Sequence, residues 1–375
     1  MKIAFTAHWD WVLYHFRLTL AERLRARGAD VQFICPQGDY VHGLQEAGFR
    51  WLGWDVERRI TNPLREMAAV VRLARLYRRE RFAAVHHFTI KPVLYGSLAA
   101  SMTGVPTTIN TFSGLGFLFS ASRKAAALRL LVLPVLRRML HRGSAHTIFQ
   151  NPDDRHSFVS SDLVAPSRAL LIPGSGVDTR RYSPANGCVG DDAPVVLMAS
   201  RILWDKGVGE FIEAARLLRA HGVRARFWLT GRVDDGNPAC VPLATVEAWQ
   251  KEAVVEMFGH RDDMPTLLRQ AAVAVLPSYR EGVPRFLLEA AATGLPLVAT
   301  DVEGCRMVVK PGRNGMLVPP KDPRALANAI EVLIGDSRLR ARMGQASRQV
   351  AVEEFDEAHI LEMHETLYRR LGIIA

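Results

Sequence analysis

VAVLPSYREGVPRFLLEAAATGLPLVAT, residues 273–300, reads as strand, turn, helix and strand in 28 residues. VAVLP is a short apolar run closed by proline, and PLVAT is a second such run. Gly282 lets the backbone turn tightly between strand and helix, and Pro284 suits the first helical position. The N–H groups at that helix start form an anion site. Glu281 precedes the turn and Glu289 follows it about two helical turns along. Carboxylates so placed can hydrogen-bond sugar hydroxyls at two ends of one ligand. The plainer alternative is a turn acid at 281 and a buried helix residue at 289.

The same rhythm runs outward in both directions. After a break at PANGCVGDDAP (Pro184–Pro194), PVVLMAS, RARFWLT, VVEMFG and GMLVP read as further strands. Before it, KIAFTA, DVQFIC, RWLGWDV, AAVHHF, PTTIN and HTIFQN alternate with helical stretches such as Arg17–Arg27 and Leu64–Arg79. This alternation predicts an α/β chain of two doubly wound, Rossmann-like domains with mostly parallel sheets. The domains are expected at 1–183 and 184–356 and should face each other across a cleft. A C-terminal helix of about 357–375 is expected to pack back on the first domain. Ligands are expected at the carboxyl ends of the strands.

Two further turns of the second half carry chemistry. In ASRILWDKGV (Ala199–Val208), Arg201 and Lys206 flank a strand-to-helix turn, with Asp205 as an expected helix cap. Two cations beside a helix N-terminus suit a diphosphate, although a surface pair of bases reads the same way. In FGHRDDMPTLL (Phe258–Leu268), Asp262 or Asp263 caps a helix, and the backbone at Gly259, His260 and Arg261 could read a base edge. Capping alone would also account for it. In the first half, YHFR (Tyr14–Arg17), HHFTIKP (His86–Pro92) and NTFSGLGF (Asn110–Phe117) all sit at strand-to-helix turns. His15, Arg17, His86, His87, Lys91, Gly114 and Gly116 are the candidate ligand residues there.

Composition narrows the class. The chain has 375 residues, 49% apolar and 23% charged, as ordinary globular domains do. No apolar run reaches the ~18 residues that span a bilayer, and MKIAFTAHWD reads as a first strand rather than a signal peptide. Cys35, Cys188, Cys240 and Cys305 are far apart, which excludes a cysteine-rich zinc site and suggests a reducing compartment. The net charge of +10 is one-sided: residues 1–180 hold 24 Lys and Arg against 13 Asp and Glu, and no acid lies between Arg81 and Pro152. Such a half suits a polyanionic surface, either nucleic acid or an anionic membrane. Its bases recur on helices beside apolar faces, which favours the membrane. G-x-G-x-x-G is absent after the first strand, which weakens a nicotinamide reading. The paired acids lie in caps or loops, so no metal and no cofactor is expected.

Taken together, R-x4-K-G, G-x-x-D-D-M-P-x-L-L, E-G-V-P-x6-E-A and N-G-x-L-V-P-P resemble family 4 of the retaining glycosyltransferases, whose fold is GT-B. YHFR, TIKPVLYGSLAA, SGLG, RILWDKGV, GRVDDGNP and PSYREGVP are similar to segments of bacterial enzymes that add an N-acetylhexosamine to an undecaprenyl-diphosphate-linked sugar. The resemblance implies that Glu281 contacts the donor hexose and Glu289 the ribose hydroxyls. It implies that Arg201 and Lys206 neutralise the departing diphosphate, with backbone N–H groups around Gly282, Val283, Pro284 and Arg285 beside it. A UDP-sugar would then be co-substrate rather than cofactor. The acceptor would be a lipid-linked sugar in polysaccharide or glycan assembly, met by a chain peripheral on the cytoplasmic face of the inner membrane. HWDWVLYHFR replaces the Gly-rich turn that many members carry after the first strand, so no acceptor contacts carry over there. Front-face substitution with retained configuration is the expected mechanism. A nucleotide-sugar epimerase of the same fold and a basic nucleic-acid-binding protein are the rival readings.

Overall fold

The β-rich runs assemble into two separate sheets, every pair within them parallel. The first contains β1 (Lys2–Thr6), β2 (Asp30–Cys35), β3 (Arg50–Gly53), β4 (Ala84–Phe88), β5 (Thr107–Phe112), β6 (Ala145–Phe149) and β7 (Ala169–Leu171), in the order β3-β2-β1-β4-β5-β6-β7. The second contains β8 (Val195–Ala199), β9 (Arg226–Thr230), β10 (Glu256–Met257), β11 (Val273–Leu276), β12 (Leu297–Thr300) and β13 (Gly315–Val318), in the order β10-β9-β8-β11-β12-β13. The structure, a computed structural model, describes all residues except 58–61, 115–122 and 186–192, and only the backbone of 123–128 and 131.

Strand alternation decides which helix covers which face. In β8, Val195 and Leu197 join one apolar cluster with the helix Arg285–Ala292, while Val196 and Met198 join another with the helix Val208–Ala220. In β1, Ile3 and Phe5 face the helices Asp10–Ala26 and Glu357–Arg370, whereas Ala4 faces the helix Pro63–Glu80. Both sheets are therefore covered on both sides, as doubly wound sheets must be. Each order reverses once, between β1 and β4 and between β8 and β11. The loops that follow those strands diverge there and leave room for a ligand.

One unit comprises Met1–Ser175 with Ile360–Ala375, and the other Gly176–His359. The division lies at Ser175 rather than at residue 183, because the segment that follows is already committed to the second unit. The Val177 N–H donates to Phe355 O at 2.9 Å, and Tyr182 is buried in that unit's core. Ile360, Leu361, Leu367 and Tyr368 enter the core of the first unit. Most of the expected linker, residues 186–192, lies outside the described residues.

Local sequence reasoning missed β7, a three-residue strand without a turn signal. It also misplaced a cap. Asp205 lies in a 3-10 turn, Trp204–Lys206, and the following helix starts at Val208 with Gly207 at its N-cap. Gly207 has φ +73°, and a Cβ there would lie 2.1 Å from Pro277 O, so tertiary proximity sets the start of the helix. Asp263 does stand at an N-cap, but its carboxylate is held by Arg261 and makes no capping bond.

Candidate active site

In the second unit the chemistry gathers at the carboxyl edge of β8, β9, β10 and β11. The loops after β8 and β9 are joined by Ser200 N–H to Thr230 O at 3.0 Å and Ile202 N–H to Arg232 O at 2.9 Å. The loop after β10 is tied in where Gly259 O accepts from Gly231 N–H at 2.7 Å and from Thr230 Oγ1 at 2.6 Å. Lys206, beyond β8, places Nζ 2.6 Å from Glu281 Oε1, beyond β11. Their side chains are only 19% and 12% exposed, so this ion pair spans the reversal of strand order in a largely dry setting. Arg201 Nη1 donates to Asp234 Oδ2 at 2.8 Å. Asp234 is one of the paired acids, with Asp235, that the sequence places in a cap or loop. No short-range signal links it to Arg201, because the contact comes from strand adjacency.

Glu289 is buried, and Oε1 accepts from Arg285 Nε at 2.8 Å. Tyr182 is held protonated by burial and by the same carboxylate. Glu281, Gly282, Val283, Pro284 and Arg285 form one continuous approach to the helix, with Pro284 as its N-cap. Gly304 presses on this turn from the helix Glu303–Val308: a Cβ there would meet Gly282 O at 2.1 Å and Glu281 O at 2.6 Å. His260 Nε2 lies 3.0 Å from Asp262 Oδ1 and Arg261 chelates Asp263, so both side chains are engaged locally. Only the backbone of Gly259–Arg261 remains as a reader of a flat ring edge. Among the described residues no three His, Cys, Asp or Glu side chains gather as a metal site would require.

The first unit treats its candidates differently. His86 and His87 are not an exposed edge. Neighbours on a strand point to opposite faces, and both imidazoles are 0% exposed. His86 is bonded to Tyr368 Oη and Thr111 Oγ1, each at 2.6 Å. His87 is bonded to Tyr77 Oη at 3.0 Å and Asn110 Oδ1 at 2.8 Å. Lys91 forms a buried pair with Glu66 at 2.9 Å. Arg17 is buried 4.6 Å over the Phe88 ring, and burial draws its guanidinium down to about 10. Of the set, His15 is exposed, among Trp11, Tyr14 and Tyr40, with Trp11 stacked on Trp9 at 4.9 Å. Gly114 adopts φ +111° at the end of β5. Gly116 lies outside the described residues.

These buried histidines make a pH prediction. Burial holds His87 at about 4 and, on the helix Glu357–Arg370, His364 at about 3. Above pH 6.5 both rings are neutral whether the chain is folded or not. Below it the unfolded chain binds protons that the folded chain refuses, so stability falls toward pH 4 by about 1.4 kcal/mol per pH unit for each ring. Thermal unfolding from pH 7 to pH 4 should show this fall. Both nitrogens of His364 are buried without a partner, so His364→Leu should raise the midpoint at pH 5 and flatten the slope. An unchanged slope would remove His364 from the account.

Comparison with known proteins agrees with the fold. The family model described as glycosyl transferase 4-like matches residues 2–151, and glycosyl transferases group 1 matches residues 193–336. The chain is 28% identical, over 99% of both sequences, to the N,N'-diacetylbacillosaminyl-diphospho-undecaprenol alpha-1,3-N-acetylgalactosaminyltransferase of Campylobacter jejuni. It is 25% identical to the UDP-Gal:alpha-D-GlcNAc-diphosphoundecaprenol alpha-1,3-galactosyltransferase of Escherichia coli, over 90% of this chain and 88% of that one. Anabaena HepE, solved with UDP and glucose, superimposes with a TM-score of 0.79 at 20% identity, covering 98% of this chain and 99% of that one. The first two are glycosyltransferases similar to this chain along nearly its whole length, and HepE shares its fold. The epimerase and nucleic-acid readings gain no such support.

Proposed function

Because the chain belongs to the GT-B glycosyltransferases built from a glycosyl transferase 4-like and a group 1 domain, we propose that it moves a hexose, as an N-acetylhexosamine, from a UDP-sugar to a polyprenyl-diphosphate-linked sugar in polysaccharide or glycan assembly. The observation that carries this reading is the Lys206–Glu281 pair at the reversal of strand order, with Arg201 earlier in the same loop as Lys206 and the helix Arg285–Ala292 opening at the turn that carries Glu281. The full-length similarity to two undecaprenol-linked transferases supports the acceptor class.

Transfer needs charge stabilisation at two places. The leaving diphosphate gains negative charge as the glycosyl bond breaks, and the anomeric carbon gains positive charge. Lys206, Arg201 and the backbone N–H groups of Val283 and Arg285 serve the first. When the diphosphate arrives, Lys206 exchanges part of its bond to Glu281 for a phosphate oxygen, and the carboxylate turns toward the hexose. Glu289 accepts from the ribose hydroxyls, and the backbone at Gly259–Arg261 reads the base. No second carboxylate stands as a nucleophile in this reading. The acceptor hydroxyl therefore attacks on the face the phosphate leaves, the phosphate oxygen takes its proton, and configuration is retained.

Cationic side chains and helix N–H groups here take the role a divalent ion would otherwise play. Transfer should then persist in excess EDTA. Loss in chelator with recovery on adding Mg²⁺ or Mn²⁺ would refute metal independence. The reading as a whole is tested by thermal shift with a panel of UDP-sugars, since a bound donor stabilises by RT ln(1 + [L]/Kd). The donors that bind are then assayed for transfer to a polyprenyl-diphosphate sugar. Release of a free epimerised sugar nucleotide instead of a lipid product would overturn it.

The acceptor's reactive sugar sits only a diphosphate away from a bilayer, so the first unit is proposed to dock on an anionic leaflet. No helix among the described residues is long and apolar enough to cross a membrane. The apolar stripe of Pro63–Glu80 is not the docking face, because Val70, Leu73 and Tyr77 are buried against the sheet. Leu64 and Met67 in that helix's first turn, and Leu130 and Val135 in the helix Arg123–Leu140, are exposed instead. Arg75, Arg78, Arg138 and Arg142 are exposed on or next to the same two helices.

A further inference from the structure

Glu281 is carried by a turn with no regular structure of its own, yet its carboxylate must stay within reach of Lys206. The bonds that hold this turn converge on Tyr279. The Tyr279 N–H donates to Asp205 O at 2.8 Å, and Ser278 Oγ donates to the same oxygen at 3.2 Å, so the main chains after β8 and β11 are fastened together. Tyr279 Oη donates to Glu210 Oε1 at 2.5 Å. Glu210 stands in the first turn of the helix that follows Lys206, four residues on. Its other oxygen, Oε2, is buried without a partner, so the phenol supplies this carboxylate's hydrogen bond. Lys321 Nζ lies 5.0 Å over the Tyr279 ring.

We propose that Tyr279 and Glu210 are the positioning pair of the donor site, locking the Glu281 turn to the helix that begins after Lys206. The proposal rests on the reading of Glu281 as the hexose contact. The reason is geometric. Lys206 and Glu281 belong to loops from different strands, and an ion pair alone fixes a distance but no direction. The bond from Tyr279 to Glu210 adds a second, side-chain tie to the tie that Tyr279 N–H and Ser278 Oγ make at Asp205 O, and together they suppress rotation of the turn. When the donor diphosphate competes for Lys206, this second tie keeps Glu281 in place. Misplacement of a contacting group by about 1 Å costs on the order of 100-fold in rate.

The test uses the full chain and three single variants. Tyr279→Phe keeps the ring under Lys321 and removes the hydroxyl. Glu210→Ala removes the acceptor, while Glu210→Gln keeps an amide oxygen that can accept. Hydrogen exchange should speed up at the amides of Tyr279–Val283 in Tyr279→Phe and Glu210→Ala, and stay near the parent rate in Glu210→Gln. With a UDP-sugar that the parent turns over, kcat should fall about 10- to 100-fold in the first two. Stabilisation by UDP alone should be kept, because UDP does not reach the hexose contact. The double variant Tyr279→Phe/Glu210→Ala should be no slower than either single one. Unchanged exchange in Tyr279→Phe, or Glu210→Gln as impaired as Glu210→Ala, would overturn the pair. If the parent transfers from no UDP-sugar, the functional reading fails, and the exchange comparison still decides the positioning claim.

Discussion

Lys206→Ala is expected to lose glycosyl transfer by about 100-fold or more, as removal of one preorganised donor to developing negative charge does elsewhere. The same loss is expected for Arg201→Ala. Both leave a largely buried carboxylate, Asp234 at 11% and Glu281 at 12% exposed, but the Arg201 side chain is itself 41% exposed, so its pair is the more screened by solvent and its loss should cost folding less. Lys206 shields a carboxylate that is only 12% exposed, and its loss strands Glu281 without a counter-charge. Lys206→Ala should therefore also lower the unfolding midpoint. Adding Glu281→Gln should recover the midpoint but not the transfer. That separates the ion pair's part in folding from its part in catalysis. Near-normal transfer in both Arg201→Ala and Lys206→Ala would remove the diphosphate assignment.

The second large effect concerns the membrane. Converting Arg75, Arg138 and Arg142 to Glu should weaken binding to anionic vesicles by about 100-fold or more. Each basic residue near such a surface contributes about 1 kcal/mol, and about 1.4 kcal/mol is tenfold. These positions are preferable to Arg137, which is committed to Asp162. Cosedimentation with vesicles of neutral and of anionic lipid measures the effect, and binding of the parent chain should fall as salt rises. Leu64→Ser and Leu130→Ser, at side chains 81% and 80% exposed, should weaken binding further without touching a core. Equal pelleting with neutral and anionic vesicles, or none with either, would leave a soluble acceptor as the better reading.

The doubly wound architecture, twelve of the strands, and the turns after β8, β10 and β11 as candidate ligand loops were legible in local sequence pattern. Those features are local. A strand shows in a short apolar run, a turn in Gly and Pro, and a helix in its period, and none needs knowledge of a distant residue. Tertiary structure alone decided which charges meet. Lys206 finds Glu281, Arg201 finds Asp234 and Tyr279 finds Glu210 across loops that neighbouring strands bring together. It also decided that His86 and His87 belong to the core, on opposite faces of one strand, and that the apolar stripe of Pro63–Glu80 is spent on the sheet rather than offered to a membrane. Burial depends on what packs against a residue, and partners here can lie far apart in sequence: His86 and Tyr368 are 282 positions apart, and Arg23 and Glu365 are 342 apart. Sequence pattern is read over about a dozen residues. It registers an imidazole at a turn, but not the helix from the far end of the chain that covers it.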